Sequence, residues 1–229
     1  MEHDKQRQLW DEEHRKPTAL KAMDSHDPSN SVQKFWQFLV EGRYARAHGI
    51  EMGCGKGRNV IWLAKRGATM EGFDFSEVAI AEAKRRAEGI NGVSLQVADA
   101  THGWPYESNY FDFGIDCFAS TDIESSVGRT FALTEMKRVL KPGGLYMTYV
   151  SSTEDGYHKE MIQKAPAGER NTFLQPTGKF EKVFDEQDIA EAFVNWQVIR
   201  QERIEKTTEF FGKEYAMRHF WLLLQKPLA

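Results

Sequence analysis

Hydrophobic and polar positions along this chain follow two alternating periods. Short apolar runs, typical of buried strands, are separated by segments in which apolar residues recur every three or four positions, as on one face of a helix. The predicted strands cover residues 47–51, 69–73, 93–97, 110–116 and 145–150, and the predicted helices between them cover 60–65, 77–87 and 125–139. This strand–helix alternation predicts a parallel sheet with crossover helices.

The C-terminal part of the chain changes pattern. It predicts a helix over 185–193, with Asp185 as its N-cap, and then two alternating strands over 196–205 and 216–225 that pair antiparallel. The expected fold class is therefore α/β, a Rossmann-like seven-stranded, mostly parallel sheet with helices on both faces and a C-terminal antiparallel strand pair. We find no internal repeat or interdomain linker, so a single domain over 1–229 is expected.

Two segments lie outside this regular pattern. Residues 1–27 are polar and charged except around Trp10, which suggests a short helix that docks on the rest of the chain. A helix with an aromatic face is then predicted from a start at 27–29. Residues 151–184 show no clear period, and stretches of that length between elements are usually functional loops or lids. We therefore expect 151–184 to be a loop or lid on the substrate side.

Composition narrows the class of function. The formal net charge is −4, whereas nucleic-acid-binding domains usually carry a basic excess, so a general nucleic-acid binder is disfavoured. The longest apolar run is far shorter than a membrane span, and no signal-peptide core precedes the domain. Cys54 and Cys117 give neither a disulfide framework nor the spacing of a metal site. We expect a cytoplasmic protein with free thiols and no bound metal.

The most informative stretch follows the first predicted strand. Glycines alternate with other residues at Gly53, Gly55 and Gly57, directly before a helix, which predicts a loop whose backbone N–H groups approach a nucleotide-like ligand. A dinucleotide fingerprint would need glycine where Arg58 stands, and no stretch has the spacing of a phosphate-binding P-loop. The remaining pattern is an acid, Glu51, followed by the three alternating glycines.

Acidic residues also mark the ends of the predicted strands. Glu51, Asp74, Asp99 and Asp116 each lie at or just after the end of one of the first four strands. Ligands of open α/β sheets bind at the carboxyl ends of the strands, so these acids are expected to surround one site.

Taken together, these motifs resemble those of the class I S-adenosylmethionine-dependent methyltransferases. The glycine loop, Asp74, Asp99 and the turn at 140–144 correspond to four successive motifs of that family, and the resemblance covers about residues 30–150. It implies S-adenosylmethionine as cofactor, S-adenosylhomocysteine as product, and residues 1–27 as a lid or cap over the cofactor.

The resemblance also implies roles for individual residues. Asp74 would accept hydrogen bonds from both ribose hydroxyls, because a carboxylate offers two acceptor oxygens. Asp99 would take the adenine amino group beside the Ala100 N–H, and Asp116 with Cys117 would lie near the methionine end and the sulfonium. The implied cofactor-binding residues are Trp10, Glu51, Gly53, Cys54, Gly55, Gly57, Arg58, Asn59, Asp74, Phe75, Asp99, Ala100, Asp116 and Cys117.

The sequence leaves the methyl acceptor open. The run Gly57-Arg58-Asn59 and the C-terminal segment are similar to the branch that includes tellurite-resistance and thiopurine methyltransferases, which implies a small-molecule substrate. The alternatives are a methyltransferase that acts on RNA or protein, and a cofactor-binding regulator without catalysis. The signature of enzymes that methylate exocyclic amines of nucleic acids would follow strand four, where this chain has Asp116-Cys-Phe-Ala-Ser120 instead. Either a monomer or a homodimer fits the sequence.

Catalysis requires alignment of the nucleophile, and a base only if the nucleophile arrives protonated. His158, predicted to lie in the loop after strand five, is the first candidate for such a base, and Tyr149 and Tyr157 are candidates for orienting hydroxyls. His219, inside the last predicted strand, is interpreted as structural.

Overall fold

The structure, a computed structural model, describes residues 2–16, 24–42, 44, 46–210 and 212–228. Residue 1 and residues 17–23, which belong to the predicted lid segment, lie outside the described residues. The helices are α1 (Glu2–Arg15), α2 (Asn30–Glu41), α3 (Arg58–Ala64), α4 (Glu77–Arg86), α5 (Ser126–Val139), α6 (Gly156–Lys164) and α7 (Glu186–Ala192). The strands are β1 (His48–Met52), β2 (Thr69–Asp74), β3 (Val93–Val97), β4 (Phe111–Cys117), β5 (Leu140–Ser151), β6 (Thr172–Leu174), β7 (Phe180–Lys182), β8 (Gln197–Phe210) and β9 (Lys213–Gln225).

Seven of these strands form one sheet in the order β3-β2-β1-β4-β5-β9-β8. The first five are parallel, β9 is antiparallel to β5, and β8 is antiparallel to β9. The predicted fold class is therefore confirmed. The strand order reverses direction between β1 and β4, which is where open α/β sheets bind their ligands.

The sheet buries an apolar layer on each face. α2, α3 and α4 pack on one face around Phe35, Leu63, Ile80 and Phe113, whereas α5 and α7 pack on the other. Because successive strand residues point to opposite faces, neighbouring positions of one strand contribute to different layers. In β5, for example, Tyr149 belongs to the layer around Phe35, whereas Tyr146 belongs to the layer on the opposite face.

Several predicted boundaries differ from the structure. β5 begins at Leu140 and not at residue 145, since the predicted turn at 141–144 is an irregular part of the strand, where the pairing with β4 shifts register. The helix predicted to start at 27–29 with Pro28 in its first turn begins at Asn30, with Ser29 as its N-cap, so Pro28 precedes the cap.

The segment 151–184 is not an irregular loop. It contains α6 and the antiparallel hairpin of β6 and β7, which share a small apolar cluster of Tyr157, Met161, Phe173 and Val183. The helix was missed because it is only nine residues long and is stabilised by this hairpin more than by its own periodicity. Residues 157 and 158 therefore lie in the first turn of a helix.

The close packing between β1 and β4 gives a direct test of the sheet. A Cβ at Gly49 would lie 2.2 Å from two ring atoms of Phe113, which is fully buried and lies against Phe35. We expect Gly49→Ala to lower the free energy of unfolding by about 1–3 kcal/mol through overpacking. Gly103→Ala is the control, because a Cβ at Gly103 meets no described atom within 4 Å. Equal midpoints of urea unfolding for the two variants would contradict this packing.

Candidate active site

The glycine loop joins β1 to α3 at the carboxyl edge of the sheet. Gly53 and Gly55 have φ angles of 62° and 53°, a backbone region that side chains other than glycine rarely adopt. A Cβ at Gly53 would lie 2.3 Å from the Cβ of Ala119, in the segment after β4. These two positions therefore favour glycine, and the backbone of the loop lies close to the ends of β2 and β4.

Glu51 lies beneath this loop on β1 and is almost fully buried. Its Oε1 accepts a 2.7 Å hydrogen bond from the side chain of Asn59, whose own oxygen accepts from the N–H of Ser29. Glu51 Oε2 has no hydrogen-bond partner among the described residues. Burial raises the pKa of Glu51 to about 8, despite the hydrogen bond from Asn59. The site therefore holds a buried carboxyl group with one oxygen that lacks a hydrogen-bond partner among the described residues.

Asp74 ends β2 on the same face of the sheet. Its two oxygens accept hydrogen bonds from the N–H groups of Gly55 and Ser76, both at 2.9 Å. Burial raises the pKa of Asp74 to about 6, although these backbone hydrogen bonds favour its charged form. Since each carboxylate oxygen has two lone pairs, Asp74 retains capacity for a further donor. Phe75 follows it and is half-buried.

The end of β3 supplies a third part of the edge. Asp99 accepts hydrogen bonds from the N–H and hydroxyl of Thr101 at 2.8 Å, which fixes the turn after β3. The carbonyl of Ala100 accepts from the indole of Trp104 at 3.1 Å, and that indole stacks edge-on against Phe73. This turn is positioned by its own hydrogen bonds and by the apolar layer beneath it.

Asp116 lies differently from the other strand-end acids. Its oxygens accept hydrogen bonds from the N–H of Ser120 and from the hydroxyls of Tyr146 and Thr148, at 3.1–3.3 Å, and it is fully buried. Tyr146 belongs to the layer on the opposite face from Glu51. The expectation that all four acids converge on one site is therefore wrong for Asp116, because strand alternation turns it to the other face, where it holds the segment after β4.

Cys117, the next residue, returns to the face of Glu51. It is half-buried, and its Sγ lies 3.6 Å from the hydroxyl of Ser31 at the start of α2. Phe118 then adopts a φ of 73°, which is rare for an aromatic residue, and its ring packs 4.8 Å from that of Tyr149. Backbone strain of this kind is often found at functional sites.

The N-terminal helix α1 lies over the glycine loop. The ring of His14 is buried beside Gly55, and Asp11 hydrogen-bonds the hydroxyl of Ser76, next to Asp74. Burial, followed by repulsion from Lys56, lowers the pKa of His14 to about 4, so the ring is neutral at physiological pH. Trp10, the predicted lid residue, is buried beneath the same helix.

The other side of α1 contacts the hairpin of β6 and β7. Glu13 and Lys179 form an ion pair at 2.9 Å, and both are almost fully buried. The Lys179 ammonium also lies 4.4 Å from the ring centroid of Trp10. Gln6 donates to the carbonyl of Gly178 and accepts from the N–H of Phe180. The helix therefore spans the edge of the sheet, from the glycine loop to this hairpin.

His158, the candidate base, is enclosed by carboxylates. Its Nε2 lies 2.9 Å from Glu181 and its Nδ1 lies 3.2 Å from Asp155. Burial alone would lower the pKa of His158, but the charge and hydrogen bond of Glu181, aided by Asp155, raise it. Tyr157 packs in the apolar cluster beside Phe173. This environment favours a protonated His158 that joins α6 to the hairpin and does not favour a general base.

Sequence reasoning did not anticipate several residues of this edge. The sequence carries little signal for these residues, because charged residues in a polar segment are normally solvated and only the tertiary structure buries them. They are Glu13, His14, Asp155, Lys179 and Glu181.

The comparisons with known proteins agree with this architecture. Residues 50–144 match a family described as a methyltransferase domain. Methyltransferase GfsG from Streptomyces halstedii is 36% identical over 99 residues, which cover 42% of this chain and 34% of that protein. A demethylmenaquinone methyltransferase from Staphylococcus aureus is 33% identical over 138 residues, which cover 56% of each protein. This chain thus spans between about a third and just over half of the length of these curated relatives.

A solved structure extends the likeness beyond the matched segment. The S-adenosylmethionine-dependent methyltransferase from Methanosarcina mazei has a TM-score of 0.72 at 21% identity, covering 83% of this chain and 98% of that one. At this identity the likeness shows the fold. Residues 50–144 thus match a methyltransferase domain, and the solved structure shows that the likeness in fold extends over most of the chain.

The buried ion pair of α1 can be tested directly. Glu13→Gln leaves the Lys179 ammonium buried without its carboxylate, and loss of one partner of a buried pair costs about 3–5 kcal/mol. We expect α1 to detach, so that amide hydrogen exchange of residues 2–15 accelerates. Asp4→Asn, which removes the exposed pair with Arg7, should have little effect. Similar exchange in the two variants would contradict the assigned contact.

The two raised carboxyl pKa values predict a pH dependence of stability. Folded protein keeps protons on Glu51 and Asp74 at pH values at which the unfolded chain has released them, so these two groups contribute a fall in the free energy of unfolding from about pH 4 to about pH 8. Glu51→Gln can retain the hydrogen bond from Asn59 and should reduce this fall, as measured by thermal unfolding. The exposed variant Glu107→Gln should keep the wild-type slope. An unchanged slope in Glu51→Gln would contradict the assignment.

Proposed function

We propose that this chain transfers a methyl group from S-adenosylmethionine to a small-molecule acceptor. The observation that carries the proposal is the convergence of Glu51, Asp74 and the glycine loop on one face at the carboxyl edge of the sheet. The matched methyltransferase family supports it.

The residues at this edge fit the cofactor. The unpartnered Oε2 of Glu51 suits the ammonium of the methionine portion, and the remaining lone pairs of Asp74 suit the ribose hydroxyls. Backbone at Gly53 and Gly55 provides a surface without side chains. Asp99 and Ala100 would border the adenine. The bound cofactor supplies an electrophilic methyl group on a sulfonium, and the protein residues bind and orient the reactants around it.

Enclosure of the site favours a small acceptor. α1 and the hairpin cover the edge of the sheet through buried contacts, which we propose act as a lid that excludes water from the reaction. A polymer would require this cover to open, and the net charge of −4 offers little attraction to RNA. The relative from Staphylococcus aureus is by name a demethylmenaquinone methyltransferase, which also agrees with a small-molecule acceptor. Among the described residues, no helix is long and apolar enough to span a membrane.

Methyl transfer of this kind depends on alignment of the nucleophile with the methyl carbon and the sulfur. The segment after β4 and the end of β5 lie beside the proposed cofactor site and would provide that alignment through Cys117, Phe118 and Tyr149. His158 would hold α6 against the hairpin as a cation between two carboxylates. The proposed reaction therefore depends on positioning, with no base assigned to His158.

Asp74 offers the sharpest test of the cofactor site. Asp74→Asn should weaken binding of S-adenosylhomocysteine by about tenfold or more in calorimetry, because hydrogen bonds to charged acceptors contribute about 1.5–3 kcal/mol. Asp112→Asn, near the amino end of β4, is the matched control and should bind as the wild type does. Equal affinity of Asp74→Asn and wild type would remove Asp74 from the ribose site.

The acceptor class is tested by product release. We expect the wild type to release S-adenosylhomocysteine with a small-molecule cell filtrate, and not with total RNA or denatured protein. Release with either polymer alone would overturn the small-molecule assignment while leaving the fold intact. Cofactor binding without release in any pool would favour a regulator.

A further inference from the structure

A buried tyrosine–histidine pair lies at the end of β5. The hydroxyl of Tyr149 is 2.7 Å from Nδ1 of His219 on the neighbouring strand β9, and both side chains are almost fully buried. The ring of Phe118 packs against both, at 4.8 Å and 5.2 Å between centroids. This packing fixes the orientation of the two rings.

The surroundings of His219 determine where its proton lies. Its Nε2 faces Asp155 Oδ2 at 4.0 Å and has no hydrogen-bond partner among the described residues. The carboxylate of Asp155 favours a proton on Nε2, since a lone pair there would face the carboxylate oxygen. Nδ1 is then left as an acceptor, and the Tyr149 hydroxyl must donate to it.

Other nearby groups keep the histidine neutral. Burial, followed by the charges of Lys206 and His158, lowers the pKa of His219 to about 3, so Nδ1 remains an acceptor at physiological pH. Burial, with Cys117 adding to it, raises the pKa of Tyr149, so the phenol keeps its proton. The only hydrogen of the hydroxyl is therefore committed to His219.

The tyrosine lies at the carboxyl edge of the sheet, beside the proposed cofactor site. Tyr149 belongs to the apolar layer that also contains Cys54 of the glycine loop, and Cys117 packs against that layer. Tyr149 pairs with Cys117 across β4 and β5, at the carboxyl ends of both strands. Its oxygen can offer only lone pairs to a ligand on this side.

We propose that Tyr149 is an acceptor-only hydrogen-bonding group for the substrate, with His219 as its positioning residue. The methyl acceptor accordingly presents an N–H or O–H group to Tyr149. Such a nucleophile donates its hydrogen bond to the tyrosine oxygen and directs its lone pair at the methyl carbon, whose bond to sulfur breaks with the electron pair left on sulfur. A methylated amine keeps its hydrogen as an ammonium, whereas a methylated hydroxyl passes its proton to the Tyr149 oxygen as the tyrosine proton moves to Nδ1 of His219. A thiolate or another anion would meet the tyrosine lone pairs and be repelled. This inference rests on the proposed methyl transfer and specifies its substrate as an amine or a hydroxyl compound.

The proton placement is tested on the protein alone by ¹⁵N NMR of the histidine rings. We expect His219 to carry its proton on Nε2, with Nδ1 unprotonated and shifted by its hydrogen bond from Tyr149. In Tyr149→Phe that shift should disappear while the ring stays neutral. A proton on Nδ1, or an imidazolium at neutral pH, would overturn the inference whatever the activity of the protein.

Kinetics test the role toward the substrate, using amine, hydroxyl and thiol acceptor pools with labelled S-adenosylmethionine. We expect N- or O-methylated products, and a loss of about tenfold or more in kcat/KM for Tyr149→Phe, since a buried unpaired donor on the substrate is costly. Affinity for S-adenosylhomocysteine should stay within about twofold of wild type, because the same hydroxyl makes no predicted cofactor contact. Tyr110→Phe, an exposed tyrosine at the other end of β4, is the control.

A second pair of variants separates positioning from packing. His219→Asn places an amide oxygen near the position of Nδ1 and should retain more kcat/KM than His219→Leu, which fills space without an acceptor. S-methylated products, or wild-type kcat/KM in Tyr149→Phe, would refute the inference. If the wild type does not bind S-adenosylhomocysteine, the proposed function is refuted instead. The NMR result would still decide the proton placement.

Discussion

The parallel register of β2, β1, β4 and β5 is the constraint on which the candidate site depends. It brings the carboxyl ends of these strands to one edge, and the alternation of side chains then selects which of their residues share a face. Glu51, Asp74, Cys117 and Tyr149 fall on one side, while Asp116 falls on the other. A shift of one residue in any strand would exchange these roles, so the register fixes the chemistry of the edge.

Buried charge organises the cover of this edge. The pair of Glu13 and Lys179 joins α1 to the hairpin, and the group of Asp155, His158 and Glu181 joins α6 to the same hairpin. Asp155 also accepts from the N–H of Arg218, which ties α6 to β9 beside His219. Removal of one member would leave its partner buried and unpaired. These contacts therefore hold α1 and α6 in fixed positions against the hairpin.

The same arrangement explains why histidines with similar burial behave differently. His158 lies between two carboxylates, and its pKa is raised, whereas His219 meets one carboxylate only at 4.0 Å, and its pKa is lowered. His14 lies near two lysines and is also held neutral. Burial penalises the charged form in all three cases, and the nearest charges decide whether that penalty is overcome. Sequence position alone carries none of this information.

The sequence by itself determined the α/β class, the glycine loop and the acids at the ends of β1 and β2, because these depend on local periodicity, backbone conformation and strand ends. It also indicated the resemblance to methyltransferases, from short motifs that follow one another along the chain. Only the tertiary structure decided that Asp116 turns away, that α6 and a hairpin occupy 151–184, and that Tyr149 meets His219. The physical reason is that face selection, burial of charge and contacts between distant strands arise from packing of the whole chain, which no local pattern encodes.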